Sequence, residues 1–195
     1  MVTDLKTLRT HLKQQRAALS PWQLHQAAQR FAQRLETHPR LKSAKTIALY
    51  WPVRGEADIR LIKSVLKPHQ RVYLPILASH PPQTLRWVHW KPSTRFKYNR
   101  FNIPEPLPTD RLLTSQQLDC VLVPLVAFTL TGQRLGMGGG FYDRSFALLN
   151  RQPRPLNPYL IGIGYNFQQV PKLPKTSWDI DMNSIATETQ IYSGF

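Results

Sequence analysis

The chain has 195 residues, a single cysteine and an apolar fraction of 42%, which is enough for a packed core and too apolar for a disordered chain. Its 26 Lys+Arg against 11 Asp+Glu leave a net charge of +15, a field that attracts polyanions such as nucleic acids, nucleotides or polycarboxylate substrates. One cysteine excludes a disulfide framework and a thiolate metal cluster. No apolar run reaches membrane-span length and no signal-peptide core opens the chain, so a soluble, cytoplasmic protein is the expectation; a monomer is expected too, though nothing in the sequence fixes the oligomeric state.

The length predicts one domain over residues 1–195. The basic residues are spread along the chain rather than gathered in a block, and no zinc-finger, helix-turn-helix or RNP-like signature is present. No nucleic-acid or membrane partner is therefore expected, and a nucleic-acid-binding protein is kept as the competing class.

Residues 4–19 read as a helix with Leu5, Leu8, Leu12 and Leu19 on one face. Lys6, Arg9, Lys13 and Arg16 form a basic stripe beside it, either a solvated face or cations reaching over the core edge to a ligand. Ser20-Pro21-Trp22-Gln23 is a capping box with proline at the first helical position, and a second helix is predicted to about Glu36.

Residues 44–50 read as a buried strand. Trp51 to Gly55 form a turn, and Glu56 is expected to open a helix running through Ile59, Ile62 and Leu66. This places polar residues at the carboxyl end of a strand, where α/β sheets bind ligands. Glu56 is also favourable at a helix start for structural reasons alone.

Strands are predicted over residues 71–77 and 84–90, the latter with two unequal faces. His38, His69, His80 and His89 lack metal-ligand spacing and read as surface or satisfied residues. Residues 95–108, with Ile103-Pro104-Glu105-Pro106 at their centre, read as an irregular connector in preference to a rigid lid. Residues 118–126 are a central strand by their continuous apolar run, with Cys120 a buried small hydrophobe.

A helix is predicted over residues 141–150 with Tyr142, Phe146 and Leu149 inward. A proline-rich link over residues 151–158, a strand over 160–165 and a last strand over 185–189 complete the pattern. Strands alternating with helices indicate an α/β fold: a mostly parallel central sheet flanked by helices, a single-domain three-layer sandwich.

Four of the nine glycines fall between Gly136 and Gly140, with Arg134 before them and Phe141-Tyr142-Asp143-Arg144 after. Such a run lets bare N–H groups approach an anion at a helix start. It is not a P-loop, since the Gly-Lys-Ser/Thr ending is missing. Nor is it the dinucleotide fingerprint, since Phe141 stands where a third glycine would fall. An anion-binding loop and a tight helix–sheet connection both remain open on pattern alone.

Asp119-Cys120-Val121-Leu122-Val123-Pro124, then Ala127-Phe128, Gly132, Arg134-Leu135-Gly136 and Gly138-Gly139-Gly140-Phe141-Tyr142-Asp143-Arg144, resemble the signature of the 5-formyltetrahydrofolate cyclo-ligase (5,10-methenyltetrahydrofolate synthetase) family. Lys6-Thr7-Leu8-Arg9 is similar to its N-terminal basic motif, and Tyr50-Trp51-Pro52 with Gly55-Glu56 to its folate-contacting turn. Ile103-Pro104-Glu105-Pro106 resembles its mid-chain element. Ile161-Gly162-Ile163 with Tyr165, Gln168, Pro174, Asp179 and Thr187-Glu188 resembles its last third.

The resemblance implies ATP-dependent, Mg²⁺-requiring closure of 5-formyltetrahydrofolate, with or without a polyglutamate tail, to 5,10-methenyltetrahydrofolate through a phosphorylated formyl group. It implies that Leu135, Gly136, Met137, Gly138, Gly139, Gly140 and Phe141 cradle ATP, with charge neutralised by Lys6, Arg9, Arg134 and Arg144. Tyr50 and Glu56 would bind the folate, Tyr142 and Arg134 would serve the reacting centre, and Asp143 and Asp179 would hold the metal. Departures from the family pattern are Trp178 where histidine is common, Asn183 where aspartate is common, an added Asp181, and a glycine run without Lys or Arg.

Overall fold

The computed structural model describes residues 4–78, 83–151 and 157–194. His80 and residues 152–156 of the proline-rich link lie outside them. In chain order the elements are α1 (Leu5–Ala17), α2 (Pro21–Thr37), α3 (Pro39–Ser43), β1 (Thr46–Ala48), β2 (Arg71–Leu77), β3 (Leu85–His89), β4 (Phe96–Tyr98), β5 (Pro104–Pro106), β6 (Cys120–Pro124), β7 (Ala127–Phe128), β8 (Arg134–Leu135), α4 (Phe141–Ser145), β9 (Tyr159–Ile163), β10 (Ser184–Ala186) and β11 (Ile191–Ser193). A seven-stranded sheet has the order β11-β10-β9-β6-β1-β2-β3. Strands β10, β9, β6, β1 and β2 run parallel, and β11 and β3 close the two edges antiparallel. The mixed α/β architecture with a mostly parallel sheet agrees with the sequence expectation.

The centre of the sheet is buried on both faces, which is why Cys120 to Val123 reads as an unbroken apolar run. Phe31, Leu35, Leu41 and Ile62 pack on one face against Ile47, Leu49 and Leu122. Trp87, Phe146, Leu149 and Met182 pack on the other against Ala48, Val121 and Val123. Each such aliphatic side chain withdrawn from water contributes about 1.5–3 kcal/mol. Cys120 is fully buried, and burial pushes its thiol far above the ordinary range, as a small hydrophobe requires. Buried His38 shares a 3.2 Å hydrogen bond between Nε2 and Ser184 Oγ, while its Nδ1 is buried without a partner among the described residues, so it is a core histidine satisfied at one nitrogen only.

Helix α1 begins at the Asp4 cap, whose carboxylate accepts from Thr7 N. Helix α2 begins with the capping box of Ser20 and Gln23. The first helix does not lie on a face of the sheet. Its Leu12 packs with Val126, Ala127, Leu135 and Leu173, residues that follow the carboxyl end of β6 or stand near it, so the basic stripe is brought over that end.

Three local expectations are corrected. Residues 56–66 form no helix opening at Glu56; a single 3₁₀ segment covers Arg60–Ser64. The Glu56 carboxylate turns back to accept from Val53 N, while Asp58 takes both the N–H and the guanidinium of Arg60, local bonds that compete with a helix opening at Glu56.

The helix expected over residues 141–150 stops at Ser145 and continues as a 3₁₀ segment, Ala147–Asn150. Ser145 Oγ bonds back to Phe141 O and accepts from Leu85 N, which ties the helix end to β3 and tightens it. Phe146 and Leu149 are buried as expected.

Residues 95–108 are not irregular: β4 and β5 pair antiparallel, Phe96 opposite Pro106 and Tyr98 opposite Pro104. Prolines are tolerated because the ribbon has only two strands, each free of a second neighbour. Asn99 Oδ1 closes its turn by accepting from Phe101 N and Ile103 N.

Candidate functional site

The carboxyl ends of β1, β2 and β6 open into a cavity of about 870 Å³, the position at which parallel sheets present ligand sites. Its walls come from separate parts of the chain. Helix α1 supplies Arg9 and Lys13, the turn after β1 supplies Tyr50, Trp51 and Glu56, the β4–β5 ribbon supplies Asn99, Phe101 and Glu105, and the glycine stretch with the start of α4 supplies residues 134–144.

The glycine stretch leaves β8 and enters α4 through Gly140, which caps the helix with left-handed backbone (φ 63°). A Cβ there would also stand 2.6 Å from Arg144 Nη1, so a side chain would strain the backbone and displace the arginine, and glycine is favoured. Arginines hold the carbonyls of the stretch. Arg9 Nε donates to Gly136 O at 3.0 Å, and Arg144 Nη2 donates to Gly139 O at 2.9 Å. The N–H groups from Gly136 to Gly140 donate to no other group among the described residues. A loop with its carbonyls occupied by cations and its N–H groups unspent is suited to an anion.

At the exit of the loop, Arg134 Nη2 pairs with Asp143 Oδ1 at 2.5 Å. The Arg134 side chain is 5% exposed and that of Asp143 21%. The guanidinium also lies over the Tyr142 ring at 5.7 Å. Burial pushes the Tyr142 hydroxyl far above the usual phenol range, with the Glu56 charge adding to that and Arg134 opposing it. Tyr142 therefore remains a neutral donor at physiological pH.

On the facing wall, Glu56 is held by its Oε2 contact with Val53 N at 3.2 Å and by Arg16 Nη1, 3.8 Å from Oε1. Burial raises its carboxyl above the ordinary glutamate value, while Arg16, the Val53 N–H, Arg54 and Lys13 pull it back down. Tyr50 lines the cavity, but its hydroxyl is spent on Ala57 O at 2.6 Å. It shapes the turn that carries Glu56.

Most residues expected at the site come together on this cavity: Tyr50, Glu56, Arg9, Arg134 through Arg144, and Asp179. Lys6 does not; it is exposed and outside the lining, and Lys13, two turns further along the same stripe, takes a place there.

Asp179 Oδ2 is engaged by the N–H and hydroxyl of Thr176, both at 2.7 Å, while the next residue donates Ile180 N to Asp143 Oδ1 at 3.4 Å. The two carboxylates thus belong to adjoining segments. Among the described residues no three His, Cys, Asp or Glu side chains form a metal cluster. The donor set suits only an ion that takes one or two carboxylates and completes its shell with phosphate oxygens and water, which is the habit of Mg²⁺.

The expectation missed several lining residues. Glu105, read as part of a connector, is 8% exposed. Its Oε1 accepts from Leu77 N at 3.0 Å and Asn99 Nδ2 at 2.9 Å, pinning the ribbon over β2. A carboxylate between two prolines was the available signal. Trp178, noted only as a departure from the family pattern, lines the mouth with 67% of its surface exposed.

The model of the 5-formyltetrahydrofolate cyclo-ligase family matches residues 2–188. The 5-formyltetrahydrofolate cyclo-ligase of Escherichia coli K12 is 37% identical over 183 residues, covering 93% of this chain and 98% of that protein. The enzyme of the same name from Haemophilus influenzae is 39% identical over 180 residues, covering 91% and 94%. Among solved structures, the 5,10-methenyltetrahydrofolate synthetase of Aquifex aeolicus superposes with a TM-score of 0.80 at 27% identity, covering 97% of this chain and 92% of that one. The Mycoplasma pneumoniae synthetase gives 0.72 at 29% identity, with coverage of 94% and 98%.

Proposed function

The chain belongs to the 5-formyltetrahydrofolate cyclo-ligase family, and we propose that the cavity at the carboxyl ends of its strands is where its two substrates meet. As a member of that family it is an ATP-dependent ligase that converts 5-formyltetrahydrofolate to 5,10-methenyltetrahydrofolate.

In the proposed arrangement the triphosphate lies along residues 136–140, whose unspent N–H groups face it. Arg9, Arg134 and Arg144 exchange part of their present partners for phosphate oxygens, since guanidinium forks match phosphate geometry. The pterin lies against Glu56. Its ring N–H and amino group are adjacent donors, and an ionised carboxylate accepts both.

The formyl oxygen attacks the γ-phosphorus, and the bond to the bridging oxygen breaks with ADP leaving. N10 then attacks the activated carbon, loses its proton, and the phosphate departs with the former formyl oxygen. The amide oxygen is a poor leaving group until it is phosphorylated. Positioning and charge neutralisation therefore matter more here than a strong base. Tyr142, neutral and beside Arg134, offers a hydroxyl at the junction of the two halves.

Asp143 and Asp179 would hold Mg²⁺, which when bound supplies charge neutralisation on the phosphates. The net charge of +15 suits ATP and a glutamate-tailed folate alike. We take the enzyme to work as a cytoplasmic monomer, which sedimentation of the active protein checks.

The observation that carries this reading is the placing of a buried carboxylate and an arginine-held glycine loop on facing walls of one cavity. The test is to mix purified protein with ATP, Mg²⁺ and 5-formyltetrahydrofolate and follow the ultraviolet-absorbing methenyl product. Product that requires both ATP and enzyme supports the assignment. Folded protein giving no product above the enzyme-free control contradicts it.

A further inference from the structure

Arg16 ends the basic stripe of α1, yet it does not behave as the other three stripe residues do. Its side chain is 1% exposed. It faces Glu56 at 3.8 Å through Nη1 and donates through Nη2 to Arg54 O at 3.4 Å, and its Nε is buried without a partner among the described residues. Its backbone is used as well. Gly55 has φ 75°, and a Cβ placed there would stand 2.7 Å from Arg16 O. The turn after β1 is thus seated on the end of α1, with residues on both sides of Gly55 gripped by one guanidinium.

A buried ion pair at 3.8 Å is a poor source of stability, because desolvation of both charges offsets their attraction. Arg16 touches none of the cavity, since Glu56 and Arg54 stand between. We propose that Arg16 is a positioning residue for folate recognition: it holds the Glu56 carboxylate in one orientation, facing the ring. The inference rests on the reading of Glu56 as the ring-binding group.

The charge balance gives this role a signature. The groups acting on Glu56 are Arg16, Arg54 and Lys13, and it acts in turn on Tyr50, Tyr142 and Tyr165. The three phenols, all pushed upward by burial, keep their protons through the neutral range. Glu56 is the carboxyl among them. Burial raises its carboxyl and Arg16 is the largest influence pulling it down. Without Arg16 the influences opposing burial lose their largest member, the carboxyl rises further, and a larger fraction of it is protonated at a given acidic pH. A protonated Glu56 cannot accept from both ring donors. The defect must therefore shrink as pH rises, which loss of mere packing would not produce.

The experiment compares Arg16→Met, Arg16→Lys and Glu56→Gln, with the double variant, in cyclisation kinetics from pH 5.5 to 8.5. Arg16→Met should raise the folate KM about tenfold at neutral pH, the scale of a lost charged hydrogen bond. The ATP KM should stay within about twofold, well under one hydrogen bond's worth. The acid limb of kcat/KM for folate should move upward, and Arg16→Lys should return part of the shift. Where Arg16→Met folds poorly, Arg16→Lys alone should move the limb in the same direction by less. In the Glu56→Gln background, Arg16→Met should add little to the folate KM.

A folate KM in the Arg16 variants that is unchanged, or raised equally at every pH while Glu56→Gln is impaired, overturns the positioning role alone. An unchanged folate KM in Glu56→Gln removes the ring-binding reading and the inference with it.

Discussion

Two ion pairs flank the cavity, one on its lining and one reaching it only through Glu56, and they differ in length and in the exposure of the carboxylate. Arg134 and Asp143 meet at 2.5 Å with side chains 5% and 21% exposed, whereas Arg16 and Glu56 stand 3.8 Å apart with side chains 1% and 8% exposed. The first is short, lies beside a loop of unspent N–H groups, and can be opened by an incoming phosphate or cation. The second is sealed behind the turn after β1 and is costly to disturb. One wall is made to exchange partners as the reaction proceeds, and the other is made to stay fixed. That division suits a chemistry in which one substrate is cleaved and the other must be held still while its own atoms close a ring.

The largest effect should come from breaking the sealed pair. Arg16→Met removes the largest charge acting on the buried Glu56 carboxylate, and losing one partner of such a pair costs about 3–5 kcal/mol. Urea denaturation should show it, and a loss below about 1 kcal/mol would mean that the pair behaves like a surface one. Next comes the open wall. Asp143→Asn keeps a hydrogen-bond acceptor for Arg134 but removes the charge, and turnover should fall about 10²–10³-fold, as for other preorganised electrostatic groups. Near-normal kcat would take Asp143 out of the metal-holding role.

Glu56→Gln should raise the folate KM by the equivalent of about 1.5–3 kcal/mol, the range for hydrogen bonds to charged groups. The same variant tests the sealed wall through stability. Glu56 titrates higher in the fold than in the unfolded chain. Its contribution therefore favours the fold below the unfolded value and is lost as pH rises through the folded one. The wild type should lose stability relative to Glu56→Gln as pH rises from the ordinary glutamate range through the raised folded value, and an opposite slope would contradict the burial argument.

Smaller still are the changes on α1. Arg9→Ala should weaken ATP by about 1–2 kcal/mol through its lost hold on Gly136, while Lys6→Ala, exposed and off the lining, should stay within about 0.5 kcal/mol. Equal ATP KM shifts in the two would erase the distinction drawn between neighbours on one stripe.

The sheet was legible because its central strands are buried on both faces, so Cys120 to Val123 and Leu160 to Ile163 declare themselves as apolar runs. The glycine loop was legible because four glycines in five residues have no use in packing. What could not be read are features fixed by long-range contact. Glu56 looked like a helix start because a glutamate there satisfies local rules, and only the approach of α1, 40 positions earlier in the chain, turns it into a buried carboxylate. Arg16 shared its spacing with Lys6, Arg9 and Lys13, and helical periodicity cannot say that one member of a stripe is sealed while another stands in solvent. The β4–β5 ribbon was hidden by its prolines, which forbid a central strand but not a two-stranded one.

The division of the cavity into a phosphate wall and a ring wall is tested most directly by one pair of constants. These are the KM values for 5-formyltetrahydrofolate and for ATP, measured together in wild type and Glu56→Gln. The arrangement predicts that the folate KM rises at least about tenfold while the ATP KM is unmoved. An ATP KM that rises in step, or a folate KM that does not rise, would contradict it.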